Sequence, residues 1–295
     1  MLAKLEMLLA LAKEQHFGRA AHSLGITQPT LSAGIRQLEE QLGVKLVQRG
    51  SRFGGLTPEG QRALVWARQI VGDSRRLRDE MRFSKEGLSG HLRLAAIPTA
   101  LTWAARLTSR FTEAHPNVSF TVLSRSSIDI LAMLENLDID AGITYLDNEP
   151  LGRVAAAPLY RERYVLICPK DHALAVRRHI TWGDLAGVRL CLLTPDMQNR
   201  RIINRNFMEA GVTPAALVES NSTIVLVSHV VEGGFATILP TDLARFLAVG
   251  RDLALVPVAD GGFVPTVGLI ALHHEPYTPV FEALQKMARS IADPA

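Results

Sequence analysis

"GITQPTLSAGIRQLEEQLG", residues 25–43, reads as a helix with a polar front and an apolar spine. Gly25 offers the left-handed backbone at which a preceding helix can stop. Thr27 is a good N-cap, and Pro29 fits the first turn because its missing N–H would have no partner there. Leu31, Ile35, Leu38 and Leu42 step by four, three and four, giving one buried stripe before Gly43 ends the helix. Upstream, Leu2, Leu5, Leu8, Leu9 and Ala12 follow helical spacing, and a second short helix covers about Gly18 to Leu24.

Two helices joined by a tight glycine-containing turn match a helix-turn-helix, whose second helix enters the DNA major groove. Its polar front is Gln28, Pro29, Thr30, Ser32 and, one turn on, Arg36. Gln pairs with adenine, Arg with guanine, and hydroxyls serve bases or phosphates. The plainer use of these residues is to cap and solvate a surface helix. "VKLVQRGSRFGGLTPEG" follows, with Lys45, Arg49 and Arg52 around a glycine-rich tip. Two short extended pieces with a basic tip predict a β-wing adding salt-sensitive, sequence-independent affinity.

From "FGRAAHSLG" through "LTPEG" the stretch resembles the winged helix-turn-helix of LysR-type transcriptional regulators. The shared features are the paired alanines, Gln28-Pro29, Ser32, Leu38-Glu39, Gly43, Leu46, Arg49 and Leu56-Thr57-Pro58-Glu59-Gly60. Val47 stands where that family usually has Phe, a change in the core. The resemblance implies a homo-oligomer, a tetramer built from dimers, with double-stranded operator DNA and RNA polymerase as partners.

Residues 1–90 carry 14 basic and 9 acidic side chains, net +5, whereas the remainder carries 18 and 20, net −2. A basic end on a slightly acidic body points to a polyanion at one end only. Ala63, Ala67, Ile70, Ser74, Leu77, Met81, Ser84 and Leu88 alternate by four and three, as in a coiled-coil seam. A dimerisation and linker helix is expected there, because DNA half-sites repeat on a two-fold. The expected division is residues 1–58 for the DNA-binding domain, 59–89 for the linker helix and 90–295 for an effector domain.

Beyond residue 90 strands alternate with helices of about a dozen residues, the pattern of α/β units with parallel sheets. The strands are too many for one half-sheet, so two lobes are expected, roughly 90–161 plus 268–295, and 162–267. "RFTEAHPNV", "LDIDAGI" and "RERYVLICPKDHALA" resemble the two-lobed, periplasmic-binding-protein-like effector domain of the same family. Leu137 and Phe235 replace residues that are often glycine in that family, both expected at element ends facing the interlobe region. Effector identity is therefore not carried over.

Ligands of open α/β sheets sit beyond the carboxyl ends of strands, against helix N-termini. That rule selects Thr99, Thr102, Ser126, Ser127, Thr144, Thr194, Asn221 and Ser222. Each also suits a plain helix cap; with the resemblance, the set implies a small polar or anionic effector, and Thr99 leads it. Arg200 and Arg201 either neutralise an acid or sit exposed at a helix start.

Catalytic motifs, P-loops and dinucleotide fingerprints are missing, so no enzyme and no cofactor are expected. His273 and His274 point opposite ways on a strand, a poor metal chelate. Cys168 and Cys191 lie in apolar strands and read as buried hydrophobes, which makes a cysteine-based redox regulator the secondary reading. A cytoplasmic enzyme with an accessory helical domain is disfavoured by the same missing motifs and by the basic wing. A solute-binding module for transport is disfavoured because the interrupted N-terminal apolar run lacks a cleavage site. Nothing is long enough to span a bilayer, so a cytoplasmic protein off the membrane is expected.

Overall fold

The computed structural model describes residues 1–48, 53–147, 151–259, 261, 263–273 and 275–293. The chain divides into two compact units: Met1–Gly87 with Glu135–Asp138 and Tyr277–Pro279, and the remainder.

In the first unit α1 (Leu2–Glu14), α2 (Phe17–Ser23) and α3 (Gln28–Leu42) are followed by the long α4 (Pro58–Glu86). The Thr27 hydroxyl accepts the Thr30 N–H at 3.3 Å, and Gly43 closes α3 in the left-handed conformation at φ 70°. Leu31, Ile35 and Leu38 are buried with Leu5, Leu8 and Leu11, whereas Leu42 is exposed. Between α3 and α4, Val47 and Leu56 form an antiparallel bridge, with the Gln48 N–H on the Gly55 carbonyl at 3.0 Å. The Glu39 carboxylate, itself buried, accepts the N–H groups of Leu46 at 2.9 Å and Val47 at 3.3 Å. It also pairs with Lys45 Nζ at 3.3 Å, and so ties this ribbon to α3.

Along α4 the expected seam needs correction. Ala67 is fully buried with Leu64 and Val71 in the core of this unit, so the first turns are held by their own domain. Ile70, Leu77 and Met81 of the expected seam are exposed, 41%, 59% and 51% accessible, and Trp66 at 64% extends the apolar stripe in place of Ala67. Leu88 lies beyond the helix end.

In the second unit, β1 (Gly90–Ala96), α5 (Leu101–Ala114), β2 (Val118–Ser124), α6 (Ser127–Glu135) and β3 (Ala141–Tyr145) open the first lobe. β4 (Val154–Arg161) and then β5 (Tyr164–Pro169) lead into the second lobe. That lobe continues with β6 (Arg189–Leu193), α7 (Gln198–Glu209), β7 (Ala215–Ser220), α8 (Thr223–Glu232), β8 (Thr237–Pro240), α9 (Thr241–Ala248) and β9 (Leu253–Pro257). β10 (Thr266–Leu272) returns to the first lobe and α10 (Pro279–Ile291) follows.

The first sheet has the order β2-β1-β3-β10-β4, and the second lobe holds β8-β5-β9 and β6-β7. Among the described strands, β1 runs parallel to β2 and β3, and β6 to β7. β10 pairs antiparallel with β3 and β4, and β5 with β8 and β9. The sheets are thus mixed rather than parallel throughout, because strands that cross between lobes re-enter against the direction of the βα units. β4 escapes a sequence reading because it is alanine-rich and carries Pro158; it is an edge strand with a register shift beside Pro158, where proline is tolerated.

Candidate functional sites

On the first unit, Gln28, Pro29, Thr30, Arg36 and Lys45 are exposed and Ser32 half-buried, all borne by one helix and the start of the ribbon after it. The helix buries its leucine stripe behind them. The Thr30 hydroxyl is partly committed, lying 2.9 Å from the Thr27 hydroxyl. Lys45 shares its charge with Glu39. Arg49 and Arg52 lie outside the described residues.

On the second unit, the strand ends gather the hydroxyls. The Ile97 N–H bonds the Ile143 carbonyl at 3.1 Å and the Arg125 N–H the Ala96 carbonyl at 3.0 Å, aligning the ends of β1, β2 and β3. Thr99 sits in a 3-10 turn, Pro98–Ala100, immediately past β1. Thr102 follows in α5, Ser127 opens α6, and Thr144 lies within β3 rather than after it. In the second lobe the Thr194 N–H bonds the Ser220 carbonyl at 3.2 Å, which aligns the ends of β6 and β7. The hydroxyls of Thr99, Thr102, Ser127, Thr144 and Thr194 are all buried without a hydrogen bond of ordinary geometry.

Three of the expected residues behave differently. Ser126 is spent on its helix, donating to Asp129 Oδ2 at 2.8 Å and accepting the Asp129 N–H at 3.2 Å. Asn221 is exposed. Ser222 occupies the N-cap of α8 but makes no side-chain cap bond, and its N–H goes to Ser220 Oγ at 3.1 Å. Arg200 is neither exposed nor available to an acid: it donates to Glu219 at 2.8 Å and to the Leu193 carbonyl at 2.6 Å. Arg201 is held by Gln198 and, at 2.8 Å, by the Asp196 carbonyl.

The two lobes meet at a carboxylate that sequence reasoning missed. Glu162, between β4 and β5, is 1% accessible. Its Oε1 accepts the Tyr145 hydroxyl of the first lobe at 2.6 Å, the Tyr164 hydroxyl at 2.7 Å and Asn199 Nδ2 at 3.2 Å. Asn199, in the first turn of α7, also donates to the Tyr145 oxygen at 3.2 Å. Burial pushes the Glu162 carboxyl up to about 7, although the bonds from Tyr145, Tyr164 and Asn199 pull it down. Burial and the Glu162 charge push all three tyrosines, Tyr145, Tyr160 and Tyr164, well above their usual range. Thr99 lies beside Tyr145, which links the hydroxyl group of the first lobe to this cluster. A signal existed: Tyr160, Glu162 and Tyr164 alternate by two, the spacing of one face of an extended chain.

The two departures noted in the sequence lie elsewhere. Leu137 precedes β3, at the end of the strand opposite Tyr145, and takes the left-handed conformation at φ 59°, where glycine is at ease. Phe235 packs under the Arg189 guanidinium at 4.7 Å, at the start of β6 and away from Thr194. Leu137 packs against the core of the first unit.

Cys168 and Cys191 are buried, and burial pushes both thiols up to about 11. Cys191 Sγ donates to the carbonyls of Leu226 at 3.3 Å and Ala236 at 3.5 Å. Among the described residues no cluster of His, Cys, Asp or Glu could hold a metal, and no helix is long and apolar enough to cross a membrane. His274 lies outside the described residues.

Comparison with known proteins gives concordant matches. Residues 2–61 match the "Bacterial regulatory helix-turn-helix protein, lysR family" profile, and residues 85–292 the "LysR substrate binding domain". The chain is 29% identical over 289 residues to the DNA-binding transcriptional dual regulator OxyR of Escherichia coli K12, covering 97% of this chain and 93% of that one. A full-length OxyR variant from Pseudomonas aeruginosa superposes with a TM-score of 0.74 at 26% identity, covering 99% of each chain. CbnR, solved with its target DNA, shares the fold at a TM-score of 0.63 and 20% identity, covering 99% of this chain and 100% of that one. The chain belongs to the LysR-type family of DNA-binding transcriptional regulators, which are not enzymes, and joins a helix-turn-helix domain to an effector-binding domain.

Proposed function

We propose that this regulator is controlled by a small polar or anionic molecule seated between the two lobes, against Thr99, Thr102, Ser127, Thr144 and Thr194. The observation that carries this reading is the set of buried hydroxyls, in and just past the strand ends, that lack a hydrogen bond of ordinary geometry, since buried polar groups ordinarily make one. Ser126, Asn221 and Ser222 flank the same ends. Closure of the lobes on the effector would favour one arrangement of the DNA-binding heads by its differential affinity for the two states.

Gln28, Pro29, Thr30, Ser32 and Arg36 are assigned to base and phosphate contacts, with Lys45, Arg49 and Arg52 holding the backbone. The working division is residues 1–58, 59–89 and 90–295. The stripe Trp66, Ile70, Leu77, Met81 supports pairing of α4 with a second copy, and a homotetramer in the cytoplasm acting on RNA polymerase completes the proposal. A gel shift of the gene's own upstream region at low salt tests the DNA assignment: retention is expected, and its absence overturns it. Titration of small acids and polyols against native protein and Thr99→Val tests the cleft, where loss of binding in the variant is expected.

The relatives named for OxyR keep a cysteine-based response in view as a second reading. Against it stand the burial of both thiols and their raised pKa values, which leave little thiolate at neutral pH.

A further inference from the structure

The hydrogen-bonding character of the cleft narrows the effector further, on the premise that the cleft is the effector site. Besides the five hydroxyls, two acceptors there, Glu162 Oε2 and Asn199 Oδ1, and the Tyr160 hydroxyl beside Glu162 lack a bond of ordinary geometry. Glu162 and Asn199 are only 1% and 2% accessible. The hydroxyls can donate or accept, but the carboxylate oxygen of an ionised Glu162 and the amide oxygen of Asn199 can only accept.

The principal influences on Glu162 are its burial and the neighbouring side chains of Tyr145, Tyr164, Asn199 and Tyr160. From the surrounding elements come Tyr145 of β3, Tyr160 of β4, Tyr164 of β5, Asn199 of α7 and, acting on Tyr160, Asp242 of α9. Arg200, the buried arginine nearby in sequence, is taken by Glu219 and the Leu193 carbonyl.

We propose that the effector presents hydrogen-bond donors, as an amine or a polyol does, and that Glu162 selects it over carboxylates. A donor group satisfies Glu162 Oε2 and Asn199 Oδ1, while the hydroxyls of Thr99 and Thr144 take its acceptors. With Glu162 ionised, as it is above about pH 7, a carboxylate placed there leaves both acceptors unpaired and sets two negative charges side by side in a buried site, so the selection is sharpest at pH 8.

The test is titration calorimetry on the full-length protein with ethanolamine, 1,2-diaminoethane and erythritol against glycolate, acetate and succinate, repeated in Glu162→Gln, Thr99→Val and Thr144→Val. The amines or erythritol bind the native protein, lose at least tenfold in affinity in Glu162→Gln, and weaken in a threonine variant. Binding of amines but not erythritol marks a cationic effector, and the converse an uncharged one; either supports the proposal. Carboxylates gain affinity when Glu162 is replaced by Gln. If carboxylates bind the native protein through Thr99 and the donor probes do not, this inference is overturned while the cleft keeps its place as effector site. If no probe of either kind binds, the cleft assignment falls with it.

Discussion

The Tyr145 hydroxyl of one lobe and the Glu162 carboxylate at the crossing to the other lie 2.6 Å apart, and Tyr164 and Asn199 of the second lobe meet the same oxygen. A single buried acceptor thus receives donors from both lobes. Its protonation state bears on stability. The folded protein holds the proton more tightly, near 7, than an exposed glutamate does at 4.5, so it gains from Glu162 below about 4.5 and loses that gain as pH rises through 7. Relative to native protein, Glu162→Gln should therefore be more stable at pH 8 than at pH 5, by up to about 3 kcal/mol. Urea denaturation at both pH values checks this, and an equal difference at the two contradicts it.

The cluster also shows what can and cannot be read from the chain. α3 is legible to within a residue because its cap, stripe and closing glycine are all local features. Glu162 is not, because Tyr145 and Asn199 lie 17 and 37 residues away and their meeting depends on the order of strands between two lobes. The hydroxyl-bearing strand ends stand out because they follow from topology alone, yet Ser126 serves its helix and Asn221 faces outward. On α4, heptad spacing finds Ile70, Leu77 and Met81, which are exposed, but includes Ala67, which packs inward on Leu64 and Val71. β4 and β8 are unreadable: one is an edge strand broken by Pro158, the other only four residues long.

Two glycines of the DNA-binding unit should respond unequally to alanine. A Cβ on Gly60 overlaps the Leu46 carbonyl oxygen, a backbone atom that cannot swing aside, whereas one on Gly43 meets nothing and only strains a left-handed residue. Gly60→Ala should cost on the order of 3 kcal/mol and weaken DNA binding, and Gly43→Ala about 1 kcal/mol. Thermal unfolding of each variant with a gel shift measures both.

For DNA reading, Gln28→Ala should change which bases are preferred, with about 1–3 kcal/mol lost at one position. Arg52→Ala should weaken all sequences alike and flatten the salt dependence by about one counterion. Binding to a randomised operator pool at two salt concentrations separates the two behaviours.

Assembly through α4 predicts that Leu77→Asp dissociates the oligomer, whereas Val176→Asp, exposed on the effector-binding unit and outside the stripe, leaves it unchanged. Sedimentation velocity distinguishes them, and an unchanged Leu77→Asp species removes α4 as the contact.

Thiol chemistry offers the remaining check. With both cysteines buried and raised to about 11, native protein should react with a thiol reagent far more slowly than urea-unfolded protein. Operator binding by the native protein should be unaltered by peroxide treatment, as in the double replacement Cys168→Ala with Cys191→Ala. A peroxide-sensitive gel shift that vanishes in the double variant restores the redox reading.

Glu39 faces inward from the helix that carries Gln28 and Arg36, and from there it grips the backbone of Leu46 and Val47. Helix and wing are consequently one transplantable cassette, and a protein engineer must cut around it. A chimaera that exchanges only residues 28–36 keeps the strut and can acquire a new operator. One joined between residues 39 and 45 takes the carboxylate from one parent and the backbone N–H groups it must meet from another, so their alignment rests on how well the two parents pack together.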